Sequence, residues 1–70
     1  MVSLEQIHTK IAEAIQQSGM TQTAIAKALN IRQQTISHYV KGDIMPALDT
    51  FANLCAVLDV DPAYILCLSD

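Results

Sequence analysis

No apolar run in this chain approaches the roughly 20 residues that a membrane span requires. No basic segment leads into an apolar one, as a secretory signal would. The expected location is therefore the cytoplasm, away from any membrane. Cysteine is scarce: Cys55 and Cys67 are the two in 70 residues. Their spacing matches no zinc pattern, and His8 and His38 lie far from both along the chain. A secreted disulfide scaffold is not expected, nor is a metal or any other cofactor. Cys55 falls in an apolar helical pattern and reads as a small core residue. Cys67 is expected to be partly exposed. Internal repeats, low-complexity segments and strand-like alternation are also missing. So is any nucleophile–base constellation or phosphate loop, which argues against an enzyme.

Half of what is present, 51%, is hydrophobic, too apolar a balance for disorder. The length predicts one domain spanning residues 1–70. So short a chain buries a modest fraction of its surface and is marginal without help. With disulfides and metals set aside, a second copy of the chain is the expected stabiliser.

One further absence is local. The net charge is −3, but the stretch from Gln16 to Gly42 has no acid and carries Lys27, Arg32 and Lys41, for +3. The remainder sets Lys10 against Glu5, Glu13, Asp43, Asp49, Asp59, Asp61 and Asp70, for −6. The total speaks against a generic polyanion binder. The distribution lets one part of the molecule face a polyanion while the other faces away.

Helical periodicity supplies the elements. Ser3 with Gln6 has the form of a capping box. Leu4, Ile7, Ile11, Ala14 and Ile15 follow at three- and four-residue spacing, predicting a first helix from Leu4 to Ser18 that Gly19 ends. Thr21 is a good N-cap for a second helix, with Ile25, Ala28 and Leu29 on its apolar side. Asn30 tolerates positive φ and can close it. A third helix, Gln33 to Lys41, places Ile36, Tyr39 and Val40 on one side; at about 100° per residue, Gln33, Gln34, Ser37, His38 and Lys41 fall on the other. Gly42 stops it, and a loop runs from Asp43 to Pro46. A fourth helix, Leu48 to Leu58, turns Leu48, Phe51, Leu54, Cys55 and Leu58 inward. Asp61 and Pro62 then start a short fifth helix as N-cap and first helical residue, bearing Tyr64, Ile65, Leu66 and Leu68. The fold class is all-α, five short helices.

Two short helices joined by a tight turn, the second with an exposed polar face, form the helix-turn-helix pattern. Its physics suits the major groove of DNA, which admits one α-helix and displays distinguishable donors and acceptors on the base edges. A glutamine amide donates and accepts in one plane, as adenine N6 and N7 require. Serine, threonine and neutral histidine can also do either, whereas an acid there would be repelled by phosphates.

The segment TQTAIAKALNIRQQTISHYVKG resembles the helix-turn-helix of the phage repressor and Cro family, also called the XRE family. The resemblance covers Ile7 to Leu66. It extends to Pro46 after the loop and to LDTFANLCAVLDVDPAYIL, similar to the family's fourth and fifth helices; RQQTI is close to the start of the recognition helix in a lambdoid phage repressor. The resemblance implies a lambda-repressor-like domain that binds double-stranded DNA, takes no small-molecule ligand, and acts as a homodimeric transcriptional repressor. Gln33 and Gln34 match the base-reading positions, and Ser37 and His38 the next exposed turn. Gln22 matches a glutamine that contacts a phosphate and braces the first recognition residue. Thr23, Arg32 and Lys41 are expected at phosphates. Tyr64, Leu66 and Leu68 are expected in a dimer seam, the alternative being that they complete the core.

This sequence departs from the family pattern in three ways. Arg32 stands where relatives often have a Ser or Thr cap, weakening the cap by about 1 kcal/mol while adding a cation. Ile15 and Val40 stand where relatives often pair an arginine with a glutamate, as though a buried ion pair had been exchanged for apolar packing; the two are expected to touch. The net acidity, finally, implies weak non-specific DNA binding. Lys10 and Lys27 read as solvated charges and Tyr39 as core. For Gln33, Gln34 and Ser37 the bland alternative is an ordinary solvated face, which the helix-turn-helix context weighs against. The alternative function is a protein-interaction module, an antitoxin-like or anti-repressor partner using the same fold.

Overall fold

A computed structural model describes residues 1–68. Ser69 and Asp70, the latter counted among the acids above, lie outside the described residues. The described residues form five α-helices: α1 (Leu4–Gln17), α2 (Gln22–Leu29), α3 (Gln33–Lys41), α4 (Leu48–Leu58) and α5 (Pro62–Ile65).

Local chemistry sets most of the boundaries. Gln6 N donates to Ser3 Oγ at 3.2 Å and Ser3 N donates to Gln6 Oε1 at 2.9 Å, a reciprocal capping box. Ser18 lies just past the helix, and its hydroxyl donates back to Ile15 O at 2.8 Å. Thr21 Oγ1 accepts from Ala24 N at 3.0 Å, and Asn30, at φ 56°, closes α2 in the left-handed conformation. Arg32 opens α3 with no side-chain cap, as expected from its chemistry, and Gly42 ends it at φ 83°. Asp61 Oδ1 accepts from Ala63 N at 3.0 Å ahead of Pro62. The stop of α4 is less conventional: Asp59, not a glycine, takes φ 56°, and Val60 N then donates to Cys55 O at 3.0 Å.

Helices this short are marginal alone and are held by packing. The third helix packs against α1 and α2, α2 also against α4, and α5 against α1. Each helix contributes to one core: Ile11 and Ile15, Ile25 and Ala26, Ile36 and Tyr39, Phe51, Leu54 and Cys55, and Ile65. Burying an isoleucine such as Ile25 or Ile36, neither of which retains solvent contact, stabilises by about 1.5–3 kcal/mol. Ile15 lies in this core and Val40 packs partly buried against it, with apolar side chains throughout.

Three apolar residues do not sit as the periodicity predicts. Leu48 is 86% exposed, and Leu4 is also exposed. Each is the first residue of its helix. Side chains on a helix lean toward its N-terminus, so a leucine at the first position overhangs the end of the core even though it lies on the correct stripe. In α2, Ala28 is exposed and Ala26 buried. Because α3 and α4 both pack on α2, the buried arc is wide and runs from Ile25 through Leu29 to Ala26, leaving Ala28 on its far side. Among the described residues, no helix is long and apolar enough to cross a membrane.

Candidate nucleic-acid interface

The turn between α2 and α3 is tied back to α2. Asn30 N donates to Lys27 O at 3.2 Å and Ile31 N to Ala26 O at 3.0 Å, while the Ile31 side chain packs against the core. With Ile36 and Tyr39 buried beneath it, α3 can rotate little about its axis. Its opposite side therefore has a defined outward direction. Gln33, Gln34 and Lys41 are exposed there, and Ser37 and His38 are half-exposed.

Gln33 Nε2 donates to Gln22 Oε1 at 2.8 Å. A glutamine amide has two N–H donors and one oxygen acceptor, so Gln33 keeps one donor and its whole acceptor for an outside partner. Gln22 keeps its own NH₂. Thr21 takes the Ala24 N–H through its side chain and the Ile25 N–H through its carbonyl. The N–H groups of Gln22 and Thr23, in the first turn of α2, then have no intrahelical acceptor. Thr23 and Arg32 are exposed on the same helix-turn-helix unit. Among the described residues, no carboxylate pairs with Lys27, Arg32 or Lys41.

At the other end of α3 the structure corrects the expectation of a surface without acids. The left-handed Gly42 folds the chain back, so that Gly42 N and Asp43 N both donate to His38 O, at 2.9 and 3.1 Å. That return brings Asp43 Oδ2 to 3.2 Å from His38 Nδ1. Asp43 falls outside the cationic segment only because it follows Gly42 in the chain. A helix-closing glycine, which returns the next residue to the last turn, was the signal for it.

Burial raises the pKa of the Tyr39 phenol, and the charge of Asp49 adds to the shift. The Cys55 thiol is likewise pushed up, first by burial and then by Asp61. Both stay protonated at neutral pH and act as core.

The residues expected at a dimer seam lie at the far end of the fold. Tyr64 is exposed and Leu68 is 73% exposed, whereas Leu66 packs partly buried against the chain's own core. Lys10, read from the sequence as a solvated charge, is engaged here instead. Its Nζ sits 4.2 Å from the Tyr64 ring centroid and donates to Tyr64 O at 3.2 Å. A separation of 54 residues hid this contact from any local pattern.

A family model described as Helix-turn-helix matches residues 11–65. This chain belongs to that family, of the phage repressor and Cro (XRE) type. No curated protein and no solved structure matches it at a significant level. Membership in the helix-turn-helix family carries a DNA-binding function of transcription-regulator type, and the two helices that define the family are the ones whose polar side chains are arrayed above.

Proposed function

We propose that this helix-turn-helix protein is a sequence-specific regulator of transcription, a single domain over residues 1–70 that acts in the cytoplasm as a homodimeric repressor on a pseudo-palindromic operator. The observation that carries the reading is the bond from Gln33 to Gln22 at 2.8 Å. It orients an exposed amide with one donor and one acceptor free, the pair that adenine N6 and N7 require. Gln34, Ser37 and His38 continue the reading face along α3. The Gln22 NH₂, the Thr23 hydroxyl, Arg32 and Lys41 bind phosphates on either side, assisted by the free N–H groups that begin α2. These contacts position the helix, and the base contacts choose the sequence.

A second copy doubles the site. Pairing through Tyr64, Leu66 and Leu68 would present two α3 helices to half-sites one turn apart, roughly 34–36 Å. Repression follows from occupancy: a dimer seated on an operator that overlaps a promoter excludes other proteins, with no chemistry required. Two half-sites also compensate for the repulsion that a net charge of −3 imposes at any single one.

Mobility shifts on selected and random duplexes over a range of salt test this reading. Gln33→Ala is expected to lose about 1–3 kcal/mol on the selected site and to relax its sequence preference. Lys41→Ala should weaken binding to every duplex and reduce the salt slope by about one. An equal loss on all sequences for Gln33→Ala would contradict base reading. Absence of any salt-dependent shift would favour the protein-interaction module, to which the acidic total also points.

A further inference from the structure

We propose that Asp43 is a positioning residue that sets which base His38 reads. By accepting the Nδ1 proton it leaves Nε2 as a bare acceptor, so His38 takes an exocyclic amino group, that of adenine or cytosine, from whichever strand faces the ring. The inference rests on the reading of α3 as the recognition helix and adds the chemistry of one base position to it.

An ionised carboxylate only accepts hydrogen bonds. With Asp43 Oδ2 at 3.2 Å from His38 Nδ1, the proton of a neutral ring belongs on Nδ1. The hydrogen bond made by one ring nitrogen fixes the role of the other. Nε2 lies across the ring from Nδ1, so it is directed away from Asp43 and carries the lone pair. The His38 side chain is 45% exposed, accessible to a partner in solvent. In the major groove the donors that can meet an acceptor are adenine N6 and cytosine N4; guanine offers only O6 and N7, both acceptors.

The backbone makes the pairing a built feature. The His38 carbonyl accepts the N–H of both Gly42 and Asp43, so ring and carboxylate are carried by the two ends of one closed turn. That turn depends on Gly42 at φ 83°, a conformation that glycine adopts without penalty. A carboxylate beside a DNA-binding face also has a cost, since it repels phosphates. Asp43 therefore opposes grip in general while sharpening choice at one position, and removing it should move these two properties in opposite directions. A residue that merely stabilised the helix end would not do this.

The test has two parts, both on the full chain. In the first, ¹⁵N spectra of the imidazole are recorded without DNA at about pH 8, where an ordinary histidine is neutral. His38 is expected to show a protonated Nδ1 and a bare Nε2, and D43A an average of the two tautomers. The opposite tautomer, or two protonated nitrogens, overturns the proposal. In the second, sites are selected from a random duplex pool with the wild type, H38A, D43A and D43N. In H38A the preference at one base pair, favoured by about three- to tenfold in the wild type, should vanish. D43A should lose that preference and bind random duplexes more tightly, while D43N, whose amide oxygen still accepts, retains it. A choice unchanged in D43A overturns this proposal alone. A pool that enriches no site at all, with the ring tautomer as expected, overturns the recognition-helix reading beneath it.

Discussion

The α2–α3 half of this molecule and its α4–α5 half expose opposite kinds of side chain. The first places Gln33, Gln34, Thr23, Arg32 and Lys41 in solvent and keeps its isoleucines inside; the second leaves Leu48, Tyr64 and Leu68 uncovered. Both halves draw on one core, so the difference is not a matter of how well each is folded. It concerns what each outer surface is free to meet. A polar face with donors to spare and exposed cations suits a hydrated polyanion. Exposed apolar residues on so small a fold suit another apolar surface. The contrast also bears on the acidic total: the net charge of −3 is distributed so that all seven acids lie outside the pair of helices proposed to approach DNA.

The largest effect is expected from beneath the polar face. Ile36 lies fully buried under the polar face of α3, and Ile36→Ala should destabilise the fold by about 2–5 kcal/mol, read as a lower urea midpoint. Next comes the apolar surface. Leu68→Ser should leave the midpoint at low protein concentration nearly unchanged while weakening self-association by about 1.5–3 kcal/mol, measured by sedimentation equilibrium; unaltered association would place the seam elsewhere. Arg32→Ser sharpens the contrast from the other side. A serine there can cap α3 and should raise stability by about 1 kcal/mol, yet DNA affinity should fall at low salt through loss of a phosphate contact. A variant that gained both would remove Arg32 from the interface. Leu48→Ala, at an exposed position of α4, should shift stability by no more than about 0.5 kcal/mol. A core-sized loss would show that the helix start is covered in solution.

Much of this is legible in the sequence because it is local chemistry. The Ser3, Thr21 and Asp61 caps, the Asn30 and Gly42 stops, and the burial of Ile36, Tyr39 and Cys55 follow from short-range spacing and side-chain type. What escaped depends on where chain ends meet. Leu4 and Leu48 lie on the correct stripes, but a periodic pattern carries no information about which residue overhangs the end of the core. Asp59 takes a conformation that glycine or asparagine more often adopts, so composition did not mark it. Asp43 reaches His38 only through the return made by Gly42, and Lys10 meets Tyr64 across most of the chain. At the candidate interface, the amide and cationic positions could be identified from residue type and resemblance, whereas the carboxylate that faces the ring required the path of the backbone.

The most direct test of the central claim, that the outward side of α3 reads base sequence, is selection of bound duplexes from a random pool by the wild-type chain and by Gln33→Ala in parallel. The expected result is an enriched site with two inverted halves about one helical turn apart, an adenine in each half, and loss of that adenine alone when Gln33 is truncated. A pool that stays random, or an enriched site whose sequence is the same for both proteins, would contradict it.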